Sequence, residues 1–229
     1  MDFQAVVFDM DGVLVDSEPV HFATTNEVLG RRGARLPAAD YLACIGMGEV
    51  EFFALLVERF GLQDPPRRLA DERVALSLER MATWPLPPML GALECLLLLR
   101  GDGRRLALAS SSRRRQVELV VDRLGVRRQF EALVSIDDVE RGKPAPDLFL
   151  RAAERLRVDP AHCVVIEDAV HGVHAALAAG MTALGLAPDP ERGAALRAAG
   201  ARRSLASLGE LTPDLLDELA ASPASPSGD

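Results

Sequence analysis

Two acids one residue apart, Asp9 and Asp11, close the apolar run Val6-Val7-Phe8 and are followed by Gly12. Side chains alternate along a strand, so a strand ending here would send both carboxylates to one spot. Like charges held that close are costly unless a cation or a shared proton compensates them. The pair is therefore either a metal and chemistry site or a fortuitous acidic turn. Three other stretches offer matching chemistry. Arg105–Ala109 runs into Ser110-Ser111-Ser112, whose hydroxyls and amides at a helix start suit an anion, or simply cap that helix. Cys163–Ile166 runs into Glu167-Asp168, acids that could join Asp9 and Asp11 around a hard cation, or merely open a helix. The loop Arg141–Asp147 contains Lys143, the only lysine among 26 basic residues. In a chain that otherwise uses arginine, this either has a chemical reason in a compact ammonium, such as bridging an anion and a carboxylate, or is chance.

The elements that must position these residues follow from periodicity. After the opening strand, helical spacing runs over Asp16–Leu29, Pro37–Cys44, Glu49–Phe60 and Leu69–Met81, punctuated by Gly30, Gly46, Gly61 and Asp64-Pro65-Pro66. The proline-rich Trp84–Pro88 reads as a stiff return linker. Helices and short apolar strands then alternate: helix Leu90–Arg100, strand Arg105–Ala109, helix Arg113–Leu124, strand Leu133–Ser135, helix Asp147–Leu156, strand Cys163–Ile166, helix Val170–Ala179 and strand Thr182–Leu186. Such alternation implies an α/β fold, a mostly parallel doubly wound sheet covered by helices. Ligands in that architecture sit beyond the carboxyl ends of the strands, where the candidate residues fall.

Composition narrows the function. An apolar share of 48% with 26% charged residues fits a soluble globular protein, and 4% aromatic residues offer no base-stacking platform. A net charge of −8 disfavours nucleic acid and anionic membrane as partners, leaving a small ligand or a protein. Cys44, Cys95 and Cys163 lack paired spacing and read as reduced thiols of a cytoplasmic protein. The amino end shows no basic export signal, and the longest apolar stretch, near Leu93–Leu99, is too short to span a bilayer.

The four motifs in order resemble the haloacid dehalogenase superfamily, in particular its phosphatases and sugar-phosphate mutases with a helical cap inserted after the first motif, the group that includes beta-phosphoglucomutase. Phe8–Glu18 is similar to the first motif, Leu108–Ser112 to the second, Gly142–Asp147 to the third and Ile166–Asp168 to the fourth. The Ser- and Pro-rich tail at 222–229 reads as disordered. The resemblance implies a Rossmann-like catalytic core of residues 1–15 and 88–221 and a helical cap of residues 16–87. It implies that Asp9 is a nucleophile toward phosphorus and that Asp11 is the general acid and base. Magnesium is expected at Asp9, the main-chain carbonyl of Asp11 and Asp168, with Glu167 in support. Ser110 and Lys143 would stabilise charge on the transferring phosphoryl group, with Ser111 and Ser112 contributing to the same turn. Dehalogenation is disfavoured, because Asp11 serves to protonate an alkoxide and a departing halide needs no proton.

Residues that would choose the substrate are fewer. His21 matches a hinge histidine of the mutase, or is an ordinary helix-surface residue. The segment Ile45–Val50 resembles a cap loop that supplies an arginine to a second phosphate, and Glu49 stands in its place; an acid there counts against a bisphosphate intermediate. Arg113 could hold an acidic group of the substrate or lie on the solvated face of Arg113–Arg115. His171 and His174 have a metal-compatible spacing, but with no cysteine cluster nearby they read as surface or packing residues. Asp138 reads as a cap or brace for the Lys143 loop. The leading expectation is a magnesium-dependent phosphomonoesterase acting on a small phosphorylated metabolite, as monomer or homodimer. The alternatives are a beta-phosphoglucomutase-type isomerase and a non-catalytic phospho-ligand sensor.

Overall fold

A computed structural model describes residues 2–42, 44 and 47–222; Ile45 and Gly46 of the cap loop, and the tail beyond Ser222, lie outside them. The chain divides into two compact units, one formed by residues up to Val15 together with those from Pro88 onward, the other by Asp16–Pro87.

The first unit is built on six parallel strands: β1 (Ala5–Phe8), β2 (Arg105–Ala109), β3 (Ala132–Val134), β4 (Cys163–Glu167), β5 (Thr182–Leu186) and β6 (Arg203–Leu205), in the order β3-β2-β1-β4-β5-β6. Every residue of β1 and β4 is buried, which explains why both read as unbroken apolar runs with no alternation. The succession from β1 runs outward through β2 and β3, and then restarts at β4 on the other flank. The reversal falls between β1 and β4, whose carboxyl ends are the general location of ligands in such sheets. One hydrophobic core of this unit joins Val7, Ala107, Val134 and Val165 of the strands to Leu148, Phe149 and Val173 of flanking helices.

The second unit is helical: α1 (Glu18–Gly30), α2 (Ala38–Leu42), α3 (Glu49–Phe60) and α4 (Pro66–Thr83). Its apolar core gathers Val28, Leu29, Leu36, Phe52, Phe53, Leu56, Leu69 and Leu76. Helix α4 starts at Pro66, earlier than the apolar spacing marks, because proline is tolerated in a first helical turn where no amide partner is needed. Back in the sheet unit run α5 (Ala92–Gly101), α6 (Arg114–Arg123), α7 (Asp147–Leu156), α8 (Val170–Ala178), α9 (Pro190–Ala198) and α10 (Pro213–Ala221). The sequence pattern does not mark β6, α9 or α10; β6 is three residues long, two of them polar, and too short to show a period. Among the described residues no helix is long and apolar enough to cross a membrane, and all three cysteines are free thiols.

Candidate active site

Strand β1 ends at Phe8, so Asp9 and Asp11 both lie beyond it. Strand alternation is therefore not what places them. The backbone turns sharply instead: the Met10 carbonyl accepts the Leu14 amide at 2.9 Å, the Gly12 amide reaches the Val15 carbonyl at 2.9 Å, and Gly12 takes a φ of 74°. Gly12 serves twice, since a Cβ there would lie 2.3 Å from the Asp168 carboxylate. Only glycine gives both that φ and that clearance.

Sheet register delivers the opposing acids. Phe8 pairs with Ile166, and the Asp9 amide donates to the Ile166 carbonyl at 3.0 Å, which sets Asp9 beside Glu167. Asp9, Glu167 and Asp168 are buried, and each brings one carboxylate oxygen to within 4.8 Å of the others. Room for Glu167 comes from Gly172 on α8, where a Cβ would fall 1.9 Å from the carboxylate carbon.

Lys143 closes the cluster. Its ammonium donates to Asp9 Oδ1 at 2.6 Å and to Glu167 Oε1, and it lies 5.1 Å from the centre of the Phe149 ring. Burial alone would lower its pKa, yet Asp9 and Glu167 more than offset that and hold it above its ordinary value. Asp9 is driven the other way from a free carboxylate: burial first, then repulsion from Glu167, Asp11 and Asp168, outweighs the attraction of Lys143 and raises its pKa. A hard divalent cation among these oxygens would relieve that repulsion, and the all-oxygen donor set suits magnesium.

The serine turn adds a brace. Ser110 is buried, its amide donates to the Val134 carbonyl at 3.0 Å, and its Oγ accepts the Ser112 amide at 3.0 Å. Ser112 Oγ in turn donates to Asp11 Oδ2 at 2.9 Å, so the turn orients Asp11 as well as offering donors to an anion. Ser111 is exposed at its tip. Arg113 forms an ion pair with Asp137 at 2.8 Å, which gives it a structural task. Asp138 fastens the end of β3: it accepts the Ser135 amide and hydroxyl, each at 2.8 Å, and pairs with Arg114 and, at 2.6 Å, with Arg155. It thus secures the turn that precedes the Lys143 loop. His174 is exposed and His171 half-buried, and neither joins the carboxylate cluster.

His21 and Glu49 belong to the helical unit and meet there through a residue the sequence reading missed. Arg73, buried on α4, donates to Glu49 Oε2 at 2.9 Å, pairs again with Glu49 through its second terminal nitrogen, and lies 2.6 Å from His21 Nδ1. His21 is buried, contrary to the surface alternative. Glu49 is not a bare acid: it is paired with Arg73, whose positive charge works against the repulsion expected toward a phosphate. The missed signal was positional, because Arg73 shares the buried stripe of Leu69, Ala70, Leu76 and Ser77. Arg192 was missed too. It stands in the first turn of α9 and donates to Asp168 Oδ2 at 3.1 Å and to the Asp168 carbonyl at 3.3 Å.

Comparison with known proteins gives the family. A sequence model described as haloacid dehalogenase-like hydrolase matches residues 3–180. The chain is 34% identical over 187 residues to fructose-1-phosphate phosphatase YqaB of Escherichia coli K12, covering 80% of this chain and 95% of that one. It is 36% identical over 217 residues to hexitol phosphatase B of the same strain, covering 93% and 96%. Its fold matches a crystal structure of a putative beta-phosphoglucomutase from Thermotoga maritima with a TM-score of 0.73 at 31% identity, covering 96% of this chain and 99% of that one. With matches along nearly its whole length, the chain belongs to the haloacid dehalogenase-like hydrolase family and is one of its phosphatases.

Proposed function

We propose that the protein hydrolyses phosphomonoesters of small phosphorylated carbohydrates, with magnesium, through a phosphoryl group carried transiently on Asp9. The observation behind this reading is the buried bridge of Lys143 between Asp9 and Glu167, beside Asp168, at the reversal point of the sheet. The carbohydrate class is suggested by the relatives, named for fructose 1-phosphate and hexitol phosphates. Residues 1–15 and 88–221 would be the catalytic core, and residues 16–87 the cap that selects the substrate.

In this reading an Asp9 oxygen attacks phosphorus, and the ester P–O bond breaks with its electron pair on the sugar oxygen. Asp11, oriented by Ser112, gives that oxygen a proton. Asp11 then takes a proton from water, whose oxygen attacks phosphorus; the P–O bond to Asp9 breaks, phosphate leaves, and both side chains return to their starting states. Lys143 and the donors of Ser110, Ser111 and Ser112 balance negative charge on the transferring group. Asp9, Asp168 and the Asp11 carbonyl would hold magnesium with Glu167 in support, and the ion would supply electrophilic stabilisation of the phosphoryl oxygens. The test is phosphate release from a panel of hexose and hexitol phosphates with magnesium present. Turnover of several of them is expected; silence across the panel would contradict the reading.

A mutase-type reading draws on one observation, the buried His21 bonded to Arg73. Conversion of beta-glucose 1-phosphate to the 6-phosphate in the presence of a bisphosphate primer separates it from simple hydrolysis.

A further inference from the structure

Three carboxylates crowd the candidate metal site, and each has a basic partner. Lys143 serves Asp9 and Glu167, while Arg192 serves Asp168. The two bases differ sharply. The Lys143 side chain is 9% exposed and has carboxylates on two sides, so it is fixed. Arg192 is 48% exposed and reaches Asp168 from the surface with a single terminal nitrogen, which bonds both the carboxylate and the main-chain carbonyl of that residue.

Its position is electrostatically odd. Asp189 accepts the Arg192 amide at 2.9 Å and caps α9, and Pro190 and Glu191 precede Arg192 in the first turn. A positive side chain in a first turn opposes the helix dipole. Its partner there is Asp168, so the helix start carries the charge toward the metal site.

From this we infer that Arg192 is an exchangeable counterion for Asp168, which competes with the divalent cation for that carboxylate and weakens metal binding. The inference rests on the proposed metal site. When a cation is bound, Arg192 gives up the Asp168 oxygen and turns to solvent, where its exposure already leaves it room; Lys143 stays. Retaining a competing charge keeps the site responsive to the concentration of free magnesium rather than saturated at all times. Arg192 is a positioning residue in this scheme, since it reaches the metal only through Asp168.

Direct binding tests this on the whole 229-residue chain without substrate, with Mn²⁺ titrated by electron paramagnetic resonance and Mg²⁺ displacing it. Affinity should rise as the charge at position 192 falls. R192K is expected to stay close to wild type, R192Q to bind about 10-fold tighter, and R192E tighter again, with the spread shrinking as salt is raised. A purely structural role would instead weaken binding in every variant whatever its charge, and that result, or equal affinities throughout, overturns the inference. Circular dichroism checks each fold; should R192Q be unfolded, the order of R192K, wild type and R192E decides alone. D168N separates the two levels of failure. If wild type binds no Mn²⁺, or D168N binds it equally well, the metal site itself is wrong and this inference falls with it; if only the charge order fails, the metal site stands and the inference is overturned.

Discussion

Lys143 and Asp11 show how much at this site depends on the chemistry of single side chains. Lys143 bonds two carboxylates at once in a buried setting, a task for a compact ammonium that a planar guanidinium would meet with different geometry. Asp11 stands apart, half-buried and held by Ser112, which suits a group that must exchange a proton with an incoming molecule. The division of labour makes a specific prediction. Asp11→Asn should lower turnover of a sugar phosphate by about 10²- to 10⁴-fold, because an alkoxide needs the proton. Release of p-nitrophenol from p-nitrophenyl phosphate in a single turnover should fall far less, since that leaving group departs without one. Stopped-flow absorbance against phosphate release measures both; equal losses would remove the general-acid role.

Among elements, the strand ends were legible and their supports were not. Asp9, Glu167 and Asp168 stood out because each acid terminates an apolar run, and Lys143 because no other lysine occurs. Arg73, Arg192 and Gly172 stayed hidden. Their roles arise from which helix packs where, and a residue on a helix face carries no mark of the partner opposite it. A tight turn after β1, and not the pleat of a strand, places Asp9 and Asp11, and a turn of that kind has no period to read. Asp138 illustrates the energetics at this scale. Burial would raise its pKa, but hydrogen bonds from Ser135 and Arg155 and the charge of Arg114 prevail and bring it down to about 2. A carboxylate whose folded pKa lies below its unfolded value stabilises the fold fully above about pH 4, and that contribution fades as the pH falls toward 2. Asp138→Asn is accordingly expected to cost about 2 kcal/mol at neutral pH. Urea denaturation should show the gap between variant and wild type narrowing below about pH 4; a gap independent of pH would mean that Asp138 acts by shape alone.

For the whole molecule, the parallel sheet and the inserted helices could be read from the alternation of periods, because long apolar runs and proline or glycine breaks register at that length scale. Charge is distributed with equal economy. The chain carries a net −8, yet the buried acids of the site are each answered by a base, and Glu49 in the helical unit is answered by Arg73. Asp9 and Glu167 nonetheless share a single ammonium, which leaves the sheet unit with excess negative charge that a divalent cation would offset. A phosphate dianion arriving at the sheet unit would meet Lys143 and the exposed tip of the serine turn at Ser111, since the Ser110 and Ser112 amides already bond within the protein.

The central claim is that Asp9 carries the phosphoryl group. The most direct measurement is mass spectrometry of wild-type protein acid-quenched during turnover of p-nitrophenyl phosphate with magnesium, followed by peptide mapping. The expected result is the added mass of one phosphoryl group, labile to hydroxylamine, on the peptide containing Asp9, and none in Asp9→Asn. Steady turnover with no phosphorylated peptide, or with the group on another residue, would contradict it.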